Sequence, residues 1–201
     1  MKAFIIVDIQ NDFLPGGALE VPGGDAIIPV VNKLQEKFPL VVATQDWHPE
    51  GHGSFASQHE GKKVFEKTTL GGIEQILWPD HCIKGTKGAE LSADLNTGTI
   101  EGFFRKGTDP GVDSYSGFFD NGKKKSTGLA GYLKEKGVTD VYICGLAADV
   151  CVAFTALDAI DLNFKTFFIN DATRPIDDKN LFEMTENIKD KGGYVIDSAD
   201  I

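Results

Sequence analysis

A chain of 201 residues with 41% hydrophobic content can bury a sizeable core, so it needs neither a disulfide framework nor a structural metal to fold. Its formal net charge of −10 argues against nucleic acid or an anionic membrane as a general partner, and leaves a small neutral substrate open. Three cysteines without framework spacing, and no long apolar stretch or cleavage signal near the start, point to a cytoplasmic protein, with room for a homo-oligomer.

Residues 3–7 read as a buried strand. Pro15-Gly16-Gly17 and Pro22-Gly23-Gly24 punctuate a loop. Ile27, Val31, Leu34 and Phe38 then recur at helical spacing over 25–38, with Asp25 at the start. Residues 40–44 form a second strand, so the chain opens β-α-β, the unit of a parallel sheet. Residues 47–98 are glycine-rich and irregular apart from a short helix predicted around Ile73–Leu77. They hold all four histidines, so this long insertion is read as functional. A third strand follows at 99–104, then a loop over 107–126 with a solvated lysine run. A helix at 127–136, a strand at 140–146, a helix at 148–162, a strand at 165–170, a helix at 179–191 and a last strand at Tyr194–Ile196 complete the chain. The pattern predicts one α/β domain over residues 1–201. It is a three-layer α-β-α sandwich on a mainly parallel six-stranded sheet, with a lid-like insertion at about 47–98.

Asp8, Lys106 and Cys151 each lie just past an apolar run. Ligands of open α/β sheets bind at the carboxyl ends of strands, so the three point to one crevice. There the carboxylate can take the thiol proton while the ammonium favours the thiolate. Cys151 also falls in the first turn of a predicted helix, where backbone N–H groups can hold an oxyanion. Cys144, inside a strand, reads as core.

Asp46 and His48 stand two apart, on one face of an extended segment. His52, His59 and His81 follow, with Cys82 as an adjacent thiol. One Asp with two or three His suits a divalent first-row ion.

Together, Val7-Asp8-Ile9-Gln10-Asn11-Asp12-Phe13, Asp46-Trp47-His48-Pro49, Trp78-Pro79-Asp80-His81-Cys82, Arg105-Lys106-Gly107 and Gly145-Leu146-Ala147-Ala148-Asp149-Val150-Cys151-Val152 resemble the nicotinamidases among the isochorismatase-like cysteine hydrolases. The resemblance runs from residue 1 to about 175, in the family's order. It implies the isochorismatase-like hydrolase fold, Asp8, Lys106 and Cys151 as a catalytic triad, and Asp46, His48 and His81 as ligands of one divalent ion. Zinc is the first expectation for that ion, with iron and manganese as alternatives. It further implies Phe13, Trp78, Tyr115 and Leu146 around the substrate, and a cis Leu146–Ala147 peptide exposing oxyanion-hole amides of Ala147 and Cys151. The implied reaction is hydrolysis of nicotinamide to nicotinate and ammonia through a cysteine thioester, in NAD salvage, with pyrazinamide as a second substrate. Ala148 stands where many relatives carry Thr, and His52 matches a residue that is a ligand in only some. The competing readings are another amidase of the superfamily, acting on a carbamoyl or ureido compound, and a non-catalytic metal- or ligand-binding protein.

Overall fold

The computed structural model describes residues 1–201. Its main sheet has six strands: β1 (Lys2–Val7), β2 (Val41–Asp46), β5 (Gly102–Lys106), β6 (Asp140–Gly145), β7 (Lys165–Thr173) and β8 (Tyr194–Ile196). They lie in the order β5-β2-β1-β6-β7-β8, and every pairing is parallel. Residues of β1 alternate between two cores, as the period of a strand requires. Phe4 and Ile6 join one face with α1 (Ile28–Gln35), while Ala3, Ile5 and Val7 join the other with α2 (Leu129–Glu135), α3 (Ala153–Asp161) and α4 (Asp178–Asp190). Three layers result, as the sequence predicts. No helix is long and apolar enough to cross a membrane.

The strand order reverses between β1 and β6. The chain builds outward from β1 through β2 to β5, then crosses back to β6 and builds the other way. A crevice opens at the carboxyl ends of such neighbours. Gly145, at φ +118°, closes β6, and a Cβ there would collide with the backbone of Val7. Only glycine allows this approach, which brings the ends of β1 and β6 together.

Among the elements whose bounds differ from the sequence reading, three stand out. The helix expected around Ile73–Leu77 is strand β4 (Ile73–Ile76), paired antiparallel with β3 (Lys67–Leu70). Gly71 and Gly72, both at positive φ, make the two-residue turn that such a hairpin needs. Strand β5 runs over Gly102–Lys106 rather than 99–104, so Lys106 ends the strand instead of following it. Strand β7 continues to Thr173, because a register shift after Ile143 lets Thr173 pair with Gly145.

Candidate active site

Asp8 leaves β1 at φ +47°, a left-handed turn that swings its carboxylate into the crevice. Thr44, on β2, donates to Asp8 Oδ1 at 2.6 Å. Lys106 places its ammonium 2.9 Å from Asp8 Oδ2, as an ion pair without hydrogen-bond alignment. The same ammonium donates to Cys151 Sγ at 3.4 Å and to the Ser114 carbonyl at 3.0 Å. Cys151 lies in a wide turn, Ala148–Val152, that leads into α3. There Val152 N–H donates to Ala147 O, five residues back, instead of making the usual four-residue bond. The Leu146–Ala147 peptide before this turn is cis. The Ala147 N–H has no backbone acceptor. The structure thus brings Asp8, Lys106 and Cys151 together from three strand ends, all of them buried.

Burial dominates the electrostatics. It pushes the Cys151 thiol well above its usual range, against the pull of Lys106, so the resting group is a neutral thiol. Burial likewise raises Asp8, helped by the nearby Asp46 charge and opposed by Lys106. Lys106 loses hydration too, but Asp46 and Asp8 more than compensate and hold it firmly protonated. A carboxylate of raised basicity beside a neutral thiol is the arrangement a proton acceptor requires.

The four histidines separate into different roles. His48 donates from Nδ1 to the Gly107 carbonyl at 2.9 Å, and His81 from Nδ1 to the Pro79 carbonyl at 2.8 Å. Each Nε2 is thereby left to face Asp46, and each lies 3.6 Å from Asp46 Oδ2. Backbone carbonyls that fix the tautomer while the far nitrogens converge on a carboxylate are the supporting arrangement of metal-ligating histidines. Asp46, His48 and His81 are buried, with ligand atoms all within 4.8 Å of one another, and this set fits a divalent metal. His52 is nearby, grouped with His48 and Asp113. Its Nε2 donates to the Asp109 carbonyl at 2.8 Å and its Nδ1 accepts from Ser54 at 2.7 Å, so neither nitrogen is free. His59 is engaged with the Gly53 carbonyl, and Cys82 belongs to no ligand cluster.

The triad and the metal set are not independent. Lys106 Nζ donates to Asp46 Oδ1 at 2.5 Å, so one carboxylate serves the lysine through one oxygen and the histidines through the other. Gln10 fixes that carboxylate's backbone: its Oε1 accepts from Asp46 N–H and its Nε2 donates to Asp46 O, both at 2.8 Å.

A cavity touches Cys151, Ala147, Asp46 and His81 and is walled by Phe13, Trp78 and Tyr115. Leu146 does not line it. Its side chain is wholly buried in the core, against the position a Gly24 side chain would occupy. Leu19, Val150, Ile176 and Asp113 do line it, unforeseen from the sequence. Ile176 is held there by Asp149, whose buried carboxylate accepts from the N–H groups of Ile176 and Asp177 at 2.9 and 3.1 Å. Asp113 and Tyr115 are joined by Gln75, from β4, whose amide lies 3.0 Å from both. An Asp two residues before the cysteine, in the first turn of a predicted helix, was the available signal for Asp149. Gln75 had none, because its strand read as a helix.

The comparisons with known proteins agree with this geometry. A family model described as the isochorismatase domain matches residues 2–200. A nicotinamidase of Acinetobacter baylyi is 50% identical over 175 residues, covering 87% of this chain and 82% of its own. The structure of a nicotinamidase/pyrazinamidase of Acinetobacter baumanii superposes with a TM-score of 0.97 at 47% identity, over 99% of this chain and 97% of its own. A pyrazinamidase of Pyrococcus horikoshii, solved in complex with zinc, superposes with a TM-score of 0.79 at 40% identity, over 98% of each chain. With a parallel sheet that reverses at β1/β6, a thiol at that reversal and a family match along nearly its whole length, the chain belongs to the isochorismatase family.

Proposed function

We propose that this protein is a nicotinamidase: an amidohydrolase that converts nicotinamide to nicotinate and ammonia in NAD salvage, and also deamidates pyrazinamide. The observation that carries this reading is one aromatic-walled cavity that touches both the Cys151 nucleophile and the Asp46–His81 edge of the metal set.

Asp8 accepts the proton of Cys151 as the sulfur attacks the carboxamide carbon. Lys106 favours the thiolate as it forms, by its charge 3.4 Å from Sγ. The amides of Ala147 and Cys151 hold the oxyanion. Donors of this kind contribute about 3 kcal/mol each in other enzymes. Asp8 then returns its proton to the departing amine, the carbon–nitrogen bond breaks, and ammonia leaves a thioester on Cys151. Asp8 takes a proton from water, whose oxygen adds to the thioester carbon. Collapse expels the sulfur, which recovers the proton, and nicotinate is released. Phe13, Trp78 and Tyr115 sandwich the ring. Asp46, His48 and His81 would hold zinc, which would supply a Lewis-acidic point for the ring nitrogen and so fix the ring's orientation. The chain acts as one domain, with residues 47–98 carrying His48, Trp78 and His81 over the sheet ends. Its three free thiols suit the cytoplasm.

The test is ammonia release from nicotinamide and from benzamide, with and without prior chelation. Rapid release from nicotinamide alone, lost on chelation and restored by zinc, is the expected result. Full turnover in verified metal-free protein would move the chain to the metal-independent amidases, and equal turnover of benzamide would leave the metal no role in orienting the ring.

A further inference from the structure

Phe65 is a bulky residue held at φ +70°, in the left-handed region, where an L side chain is strained. Two backbone bonds hold it there and extend the β3–β4 hairpin: Phe65 N–H donates to Leu77 O at 2.6 Å and Leu77 N–H to Glu66 O at 2.8 Å. Burial does not offset the strain, since the residue remains 58% exposed, among the most exposed large apolar residues of the chain. A solvent-facing aromatic on a strained backbone contributes little to stability, so its place calls for another explanation.

The aromatic partner of the Phe65 ring is Trp78, which it meets edge to face, centroids 6.0 Å apart and planes at 89°. Trp78 is one wall of the substrate cavity. It also meets Tyr115 edge to face, at 6.1 Å and 82°. Phe65 stands outside the cavity and reaches it only through the indole.

We propose that Phe65 is a positioning residue for substrate recognition: its ring braces Trp78 from outside and fixes the plane of the indole against which the substrate ring packs. The left-handed backbone at residue 65 is the geometry that aims the ring at Trp78. This rests on the nicotinamidase reading and adds a residue beyond the cavity to it.

Phe65→Gly separates recognition from stability, because glycine relieves the left-handed backbone while removing the brace. The expected result is a melting temperature equal to or above wild type, a nicotinamide KM raised about three- to tenfold, as an edge-to-face pair is worth, and kcat within twofold. Phe65→Tyr, which keeps the ring, retains the wild-type KM. In a Trp47→Phe background, where Trp78 is the remaining tryptophan, Phe65→Gly increases acrylamide quenching of its fluorescence. An unchanged KM in Phe65→Gly overturns the proposal, as does a loss of activity that follows a fall in melting temperature and is not restored by Tyr. Should the wild-type protein fail to hydrolyse nicotinamide, the functional reading falls instead. The quenching experiment still reports on the brace.

Discussion

Gly107→Ala tests the metal set through a residue that donates no ligand. Gly107 follows β5 at φ +65°, and a Cβ there would collide with His48 Cε1 and lie 2.7 Å from its Nδ1. Ordinary contact is about 3.5 Å, so the ring must retreat by about 1 Å. It has little room, with His52, His81 and Phe55 at centroid distances of 4.4, 4.9 and 5.4 Å. Retreat also breaks the bond from Nδ1 to the Gly107 carbonyl that fixes the tautomer. Left-handed alanine costs about 1 kcal/mol and overpacking about 1–3 kcal/mol, so the variant should fold with about 2–4 kcal/mol less stability. Loss of the supporting bond should weaken metal binding about 10–100-fold. Urea unfolding reads the first quantity, and competition against a chromophoric chelator reads the second. Gly107→Asn, which tolerates the backbone but carries the same Cβ, should lose metal affinity equally. A folded Gly107→Ala protein that binds zinc within twofold of wild type would refute the proposed ligand set.

Cys151→Ala should abolish ammonia release while leaving fold and metal content intact, whereas Cys144→Ala, in the core, should cost only about 1–2 kcal/mol of stability in a urea titration. Because burial raises Asp8, its protonated form persists to higher pH. The acid limb of kcat/KM should therefore fall above the ordinary carboxyl range, and Asp8→Asn should lose activity about 10²–10⁴-fold, as a pH–rate series would show. Asp149→Ala strands the N–H groups of Ile176 and Asp177, at about 1–3 kcal/mol each where water cannot reach them. It should raise KM by releasing Ile176 from the cavity wall, and unchanged kinetics would sever Asp149 from the site.

The sheet and the three strand-end residues were legible because buried parallel strands are continuous apolar runs and their carboxyl ends are where side chains can face a crevice. Asp46 and His48 were legible from period-two spacing. The β3–β4 hairpin was not, because four-residue strands carry too little periodicity to separate from a helical turn, although Gly71-Gly72 marked the bend. The coupling of the triad to the metal set was also hidden. It depends on Lys106 pairing in register with Asp46 on the neighbouring strand β2, a contact that sequence separation cannot report. Leu146 belongs to a motif that the resemblance places around the substrate, but its side chain is buried in the core, and Ala147 and Cys151 line the cavity instead.

The lysine shared by two carboxylates and a thiol also constrains how this sequence can evolve. Asp8, Asp46 and Lys106 are all withdrawn from water, and two negative charges face one positive. Such a cluster is a poor source of stability: apolar residues filling the same volume together often do as well or better. Removing the lysine is another matter, since it strands two buried carboxylates at a cost of about 3–5 kcal/mol, a large part of what holds a domain of this size folded. A lineage released from selection for catalysis could not shed the lysine before its carboxylates without passing through an unstable intermediate. Lys106 is therefore entrenched, and would outlast the activity it serves.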